Sequence, residues 1–220
     1  MNNLTKPIIE NQFRKTSGFC LLLGSFLATT TMALHPNGGD LEHIVKIKSV
    51  LAFSHSIAIF CLPFIGFGFW GLTQILQTKN KLSSLAFIIF SFGLFAAMIA
   101  ATINGLTLPN FASTYATDES DISTVKKIID YGKFINIPMA TIFISATSIA
   151  VGIWSVLIIQ TKQISKWFGY LGLTIISFGI IGVFLKFNFT DLLGFRTFMF
   201  GLVMWKITIG INMLKINKLE

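Results

Sequence analysis

Six long apolar stretches constrain this sequence more than any other feature. They lie near residues 18–34, 49–76, 82–107, 134–159, 167–186 and 193–214. Each is long enough for a helix to cross about 30 Å of hydrocarbon. Only 12% of the 220 residues are charged, about half the share that is typical of a soluble domain. The sequence therefore predicts an all-α, polytopic integral membrane bundle of six transmembrane helices, with the lipid bilayer as its surroundings.

The positions of the basic residues predict the orientation of the chain. An even number of spans places both chain ends on one side, and lysines and arginines border the spans closely on that side, among them Arg14, Lys81 and Lys162. Because such residues favour the cytoplasm, we expect a cytoplasmic N-terminal segment at 1–17 and a cytoplasmic tail at 215–220. The expected location is a bacterial-type plasma (inner) membrane.

The four tryptophans and the net charge bear on the same orientation. Trp70, Trp154, Trp167 and Trp205 all fall in the half of their spans nearer the chain ends, which is typical of an interfacial aromatic belt. The net charge of +8 comes from short, scattered flanks rather than from one basic surface. It therefore gives no support to nucleic-acid binding.

Two pairs of spans share short motifs. Gln-Thr-Lys ends the second span at 77–79 and the fourth at 160–162, and Ser-Phe-Gly recurs at 91–93 and 177–179. One interpretation is a parallel repeat of two helix hairpins, spans 2–3 and 4–5. It predicts a four-helix core with the first and last spans packed around it. The alternative is coincidence among apolar residues.

Glycines also recur within the spans. Three lie in the second span and four in the fifth: Gly66, Gly68, Gly71, Gly169, Gly172, Gly179 and Gly182. Small residues allow the backbones of membrane helices to approach closely. We therefore expect tight helix contacts at these seven positions.

All three histidines, His35, His43 and His55, lie in or beside the first outer loop, close to Glu42. Imidazole and carboxylate groups are common ligands of zinc, and a metal-bound water is a frequent nucleophile in hydrolysis. The three histidines are therefore candidate ligands of a divalent metal, and Glu42 and His43 are candidate catalytic residues, although their spacing matches no strong metal motif. The alternative for the loop is structural: Asp40 caps the helix that follows it, with Glu42 in the first turn.

His55 lies about 9 Å inside the second span, where an ionisable group is expected to face the bundle interior. Asn104 and Asn136 lie at comparable depths in the third and fourth spans, and Arg196 enters the sixth span from the same side. Together these four residues predict an outward-facing polar pocket for a small-molecule or lipid ligand. A hydrogen-bonded network that fixes helix register is the alternative.

Two further features concern the sixth span and the longest loop. Lys206 lies in the inner half of its span, where the pattern favours a side chain that extends to lipid phosphate over a buried one. Val125, Ile128 and Ile129 are spaced as on a helix, which predicts a short amphipathic helix on the membrane surface that could cover the pocket.

Three functional classes remain open from the sequence. The first is a non-enzymatic small transporter or membrane-complex component. The second is a membrane-embedded metal-dependent enzyme that acts on a lipid or small molecule at the extracytoplasmic face. The third is a haem or quinone redox carrier, which is the least favoured because two bis-histidine haems need four histidines and the chain has three.

Overall fold

The computed structural model describes the backbone of residues 5–77, 80–116 and 119–215, and the side chains of these residues except 5–10 and 119–121. Part of the motif at 77–79 and most of the predicted tail at 215–220 therefore lie outside the described residues.

The described secondary structure is helical throughout. The elements are α1 (Thr5–Leu34), α2 (Leu41–Lys46), α3 (Lys48–Gln77), α4 (Leu82–Ala101), a π-helical segment (Thr102–Thr107), α5 (Leu108–Tyr115), α6 (Glu119–Thr161), α7 (Lys166–Phe184) and α8 (Leu192–Lys215). Within the described ranges, six helical runs are long and apolar enough to cross a membrane. The predicted all-α bundle is confirmed, and α1 begins earlier than the predicted span because its polar first turns are helical as well.

The long helices form a closed bundle. Each of α1, α3, α4, α6 and α7 contacts the next long helix along the chain, and α8 returns to contact α1. We call the end that carries the connections 35–40 and 185–191 the loop face, and the opposite end, which carries the connection 162–165, the terminal face. These two ends differ in how their interiors are filled.

Four aromatic rings fill the bundle interior towards the terminal face. Phe69 stacks on Trp154 with a centroid separation of 4.7 Å and contacts Phe90 at 4.6 Å and Trp205 at 5.8 Å. All four side chains are buried. We call them the aromatic plug. The predicted belt is therefore wrong for Trp154 and Trp205, which pack inside the bundle, while Trp70 and Trp167 are exposed.

Close backbone approaches place α1 in the centre of the packing. A Cβ at Gly68 of α3 would lie 3.0 Å from the backbone nitrogen of Leu21, and one at Gly18 would lie 2.9 Å from the carbonyl oxygen of Gly210 in α8. Such contacts explain how α1 fits between α3 and α8.

The same packing corrects the four-helix core that the repeat predicted. Within the most apolar window of each helix, 44% of α1 and of α8 is buried, compared with 11% of α7. The first and last spans therefore belong to the core, and α7 is the peripheral helix. The glycine prediction holds at the start of α7, where Gly169 and Gly172 are buried. It is wrong for Gly179, where an added Cβ would meet no atom within 4 Å, and Gly182 packs against Phe189 of the connection 185–191 rather than against a helix.

The predicted surface helix around Val125 is also corrected. Residues 119–161 form one helix of 43 residues, about 64 Å long, so this segment extends span four beyond the hydrocarbon. Val125 and Ile129 are buried against Ala112 of α5, with Phe111 and residues of α2 packed around them. The apolar spacing thus serves contact with protein rather than with the membrane surface.

Candidate functional site

A cavity of about 340 Å³ opens in the loop-face half of the bundle. It lies between α1, α3, α4, the π-helical segment, α6 and α8, and most of its lining side chains are apolar. The polar and charged residues that line it are Thr31, His35, His55, Asn104, Lys133, Asn136, Thr190, Asp191 and Lys206. The structure therefore brings His55, Asn104 and Asn136 to one cavity, but this cavity is more apolar than the predicted polar pocket.

His35 and His55 form a pair at the cavity wall. Their ring centroids are 4.8 Å apart. The Nδ1 of His35 is 2.9 Å from the carbonyl oxygen of Pro36, and the Nδ1 of His55 is 2.9 Å from that of Leu51. Each Nδ1–H donates in the tautomer that satisfies these bonds, which leaves each Nε2 as an acceptor.

Burial is the main cause of a lowered pKa for His35. The positive charge of Arg196 adds to the lowering, whereas the hydrogen bond to Pro36 opposes it. His35 is therefore neutral at pH 7. A neutral imidazole offers a hydrogen bond to a ligand without adding a charge to the cavity wall.

The π-helical segment shapes the wall opposite His55. Gly105 of this segment packs so closely against the Cβ and Cγ of His55 that any added Cβ would overlap them. The neighbouring Asn104 lines the cavity, and its Nδ2 donates to the carbonyl oxygen of Ala100 at 3.0 Å. Single π-helical turns within α-helices are frequent at functional sites, and this one lies beside the cavity.

Lys206 lies at the inner end of the cavity. Its side chain is fully buried, and its Nζ has no hydrogen-bond partner among the described residues. The expected extension to lipid phosphate is therefore wrong, because this face of α8 points into the bundle beside the aromatic plug. The thiol of Cys61 in α3 lines the same cavity.

Arg196 braces the first loop from outside the cavity wall. Its Nη2 donates to the carbonyl oxygen of His35 at 2.6 Å, which joins α8 to the end of α1. Its Nε is buried without a hydrogen-bond partner in the described part of the chain. Arg196 was predicted to line the pocket; its observed contact instead positions His35, which does.

The other members of the histidine cluster lie apart from this pair. Asp40 caps α2 as predicted, because its Oδ1 accepts from the backbone N–H of His43 at 2.9 Å, and Glu42 lies in the first turn. Both Glu42 and His43 are exposed. Among the described residues, no three His, Cys, Asp or Glu side chains are grouped as a metal site requires.

Residues of α2, α5 and α6 surround the cavity mouth. Ala112, Val125 and Ile129 form a small apolar cluster of their own. Ile44 and Ile129 belong to this cluster region and also line the cavity, and Leu108 and Pro109 line the cavity beside them. The Nζ of Lys48 donates to the Oγ of Ser113 at 3.1 Å. The mouth is therefore framed by these helices together with residues of the two loop-face connections, among them Gly39 and Asp191.

Sequence reasoning missed the apolar lining and the buried state of Lys206. Small residues such as Ala28, Ala58 and Ala97 leave the space that the cavity occupies. The available signal was the concentration of alanine beside polar residues on facing spans. Compared with known proteins, the chain matches no family model, no curated protein and no solved structure.

Proposed function

We propose that this chain is a multi-pass membrane protein that binds a small, mostly apolar molecule in the cavity of its loop-face half, as a non-enzymatic carrier or membrane-complex component. The observation that carries the proposal is the cavity itself. Ligand pockets are typically concave, about 300–1,000 Å³ in volume, mostly apolar, and provided with a few polar groups that fix orientation. A volume of about 340 Å³ with His35, His55 and Asn104 in a largely apolar wall fits that description.

The loop face is the proposed extracytoplasmic side. Exposed basic residues border the terminal-face turns, among them Lys81, Lys162 and Lys166, and basic residues next to spans favour the cytoplasm. This argument supports a plasma-membrane location with both chain ends in the cytoplasm. The tryptophans contribute less, because only Trp70 and Trp167 are exposed.

Binding is favoured over metal-dependent catalysis by the arrangement of the histidines. His35 and His55 each direct Nδ1 at a backbone carbonyl, and Glu42 and His43 are exposed on α2. The candidate catalytic residues Glu42 and His43 are thus not among the residues that line the cavity beside the paired imidazoles. The metal role of the three histidines stays a prediction without a geometric argument in its favour.

Native mass spectrometry of the protein, extracted from membranes in a mild detergent, tests the proposed function. We expect the wild type to retain an apolar small molecule that Ala58→Phe loses. Ala58 lines the cavity one helical turn beyond His55, so a phenyl ring there occupies the ligand space.

Ala33→Phe is the matched control, because Ala33 is exposed and does not line the cavity. It is expected to keep the bound molecule. The proposed function would be refuted if folded Ala58→Phe retained as much of the bound molecule as the wild type does.

A further inference from the structure

We propose that Lys206 binds the carboxylate of an apolar acid that enters the cavity acid end first. This inference rests on the proposed function and adds the chemical class of the ligand. Lys206 is fully buried, lines the inner end of the cavity, and has no hydrogen-bond partner for its Nζ within the described residues. An amine at such a position, surrounded by apolar side chains, is costly to charge without a partner.

The described part of the cavity wall supplies no anion near Lys206. Among the described residues, Asp191 is the one acidic residue that lines the cavity. It lies 15 residues before Lys206 on the chain, about 22 Å away along the axis of α8. Its Oδ1 accepts from the backbone N–H of Gly194 at 2.7 Å, so it caps α8 at the mouth. A carboxylate on the ligand is the group that complements Lys206, because charge-assisted hydrogen bonds are the strongest available to an amine.

The shape of the cavity indicates the rest of the ligand. Leu192 and Lys206 both line the cavity and are about 21 Å apart along α8, so Lys206 lies deep in the bundle. His55 lies only about 10 Å from the start of α3 and is therefore closer to the loop face. Between the level of His55 and that of Lys206, the cavity wall is formed by apolar residues such as Ala58, Leu62 and Met199. A single alkyl chain, with its acid at Lys206, fills this apolar stretch.

One cationic donor at the inner end favours a carboxylate over a phosphate. Phosphate sites use several donors at once, commonly backbone N–H groups at a helix start. Lys206 lies in the middle of α8, where backbone N–H groups are used within the helix. The proposal therefore commits to a carboxylic acid.

Scintillation proximity with tritiated dodecanoate, on the full chain in detergent, tests the proposal. Competition with unlabelled dodecanol and dodecyl phosphate measures the contribution of the acid group. We expect dodecanoate to bind the wild type more tightly than either competitor. Lys206→Met should weaken dodecanoate binding by roughly ten- to a hundredfold, the worth of a hydrogen bond to a charged group. Dodecanol affinity should change by less than about tenfold, the worth of a neutral hydrogen bond.

Acids of eight, ten and twelve carbons test the apolar stretch. Each added methylene should tighten binding roughly fourfold while the chain lengthens within the cavity, with affinity referred to the acid free in water and corrected for its measured partition into detergent micelles. A flat dependence on chain length would refute the alkyl placement.

Lys133 lines the cavity at its mouth, so Lys133→Met tests the alternative site for the acid. Lys126→Met is the matched control, because Lys126 is exposed on α6 and does not line the cavity. It is expected to leave dodecanoate affinity unchanged. A loss in Lys133→Met and none in Lys206→Met would place the acid at the mouth and overturn the proposal. Tighter binding of dodecyl phosphate would overturn the carboxylate assignment.

Failure of this inference is distinguishable from failure of the proposed function. If dodecanol and dodecanoate bind the wild type equally and Ala58→Phe blocks both, the cavity binds apolar molecules but Lys206 does not recognise an acid. If neither probe binds, or Ala58→Phe has no effect, the proposed function fails as well. A folded Lys206→Met variant is expected throughout, because the substitution removes a buried amine that lacks a partner in the described structure.

Discussion

Replacing Gly105 by alanine tests whether the π-helical segment packs directly on His55. The added Cβ would overlap the Cβ and Cγ of His55 and lie 2.6 Å from its Nδ1. A rotamer change cannot relieve the overlap, because the Cβ of His55 is fixed by the backbone of α3. The two helices must therefore separate at this level.

The expected cost follows from two opposing effects. Overpacking of a well-filled interior costs about 1–3 kcal/mol, and this contact is at the severe end of that range. Alanine in place of glycine in a helix returns about 0.5–1 kcal/mol. The net destabilisation is about 2 kcal/mol, which lowers the melting temperature by roughly 4–8 °C in a protein of this size.

Gly179→Ala in α7 is the matched control, because no atom lies within 4 Å of the Cβ that it would add. Only the helix-propensity gain of about 0.5–1 kcal/mol applies there, so its melting temperature should rise by roughly 1–4 °C. Thermal unfolding in detergent is measured by the fluorescence of the buried tryptophans. A shift of the same sign in both variants, or no loss in Gly105→Ala, would refute the packing argument.

Three further expectations concern the core, the histidine pair and the topology. Phe69→Ala removes a fully buried ring of the aromatic plug and should cost about 3–5 kcal/mol in unfolding free energy, whereas Phe92→Ala, 69% exposed, should change the melting temperature little. Because the pKa of His35 is lowered from 6.5 by burial in the folded state, the unfolded chain binds more protons just below pH 6.5, so stability should be full above that pH and fall below it; a melting series from pH 7.5 to 5 should be flatter in His35→Gln, and an unchanged slope would contradict this reasoning. In a cysteine-free background, a cysteine at Asn37 should react in intact cells with a membrane-impermeant thiol reagent and one at Asn80 should not, and labelling of Asn80 would reverse the proposed orientation.

The spans were predictable because they depend on local properties of the sequence. Length and apolarity alone identify a helix that can cross a membrane, and the cap by Asp40 follows from a turn before a helical segment. The depth of His55 and Asn104 could be counted from the span ends. These quantities need no knowledge of which helices are neighbours.

The inward face of each helix was not predictable in the same way. Lipid chains and a protein interior are both apolar, so a transmembrane helix lacks the alternation of apolar and polar faces that marks the buried side of a soluble helix. Trp205 and Lys206 are adjacent on α8 and both are buried, yet their residue types alone suggested an interfacial ring and an amine in contact with lipid phosphate. The contacts of Gly18 with Gly210 and of Gly68 with Leu21 set the rotation of these helices, and they involve residues far apart in the chain.

The unequal filling of the bundle constrains how a bound molecule could pass through it. The cavity reaches Phe90 and Lys206, and Phe90 is in edge contact with Phe69 and Trp154. These rings are fully or almost fully buried, so the aromatic plug separates the inner end of the cavity from the terminal face. Transport across the membrane would require the stacked rings of Phe69 and Trp154 to part, whereas binding from the loop face requires no such movement. The described conformation therefore supports a binding role more directly than a transport role, and it makes the aromatic plug the element that a transport cycle would have to open.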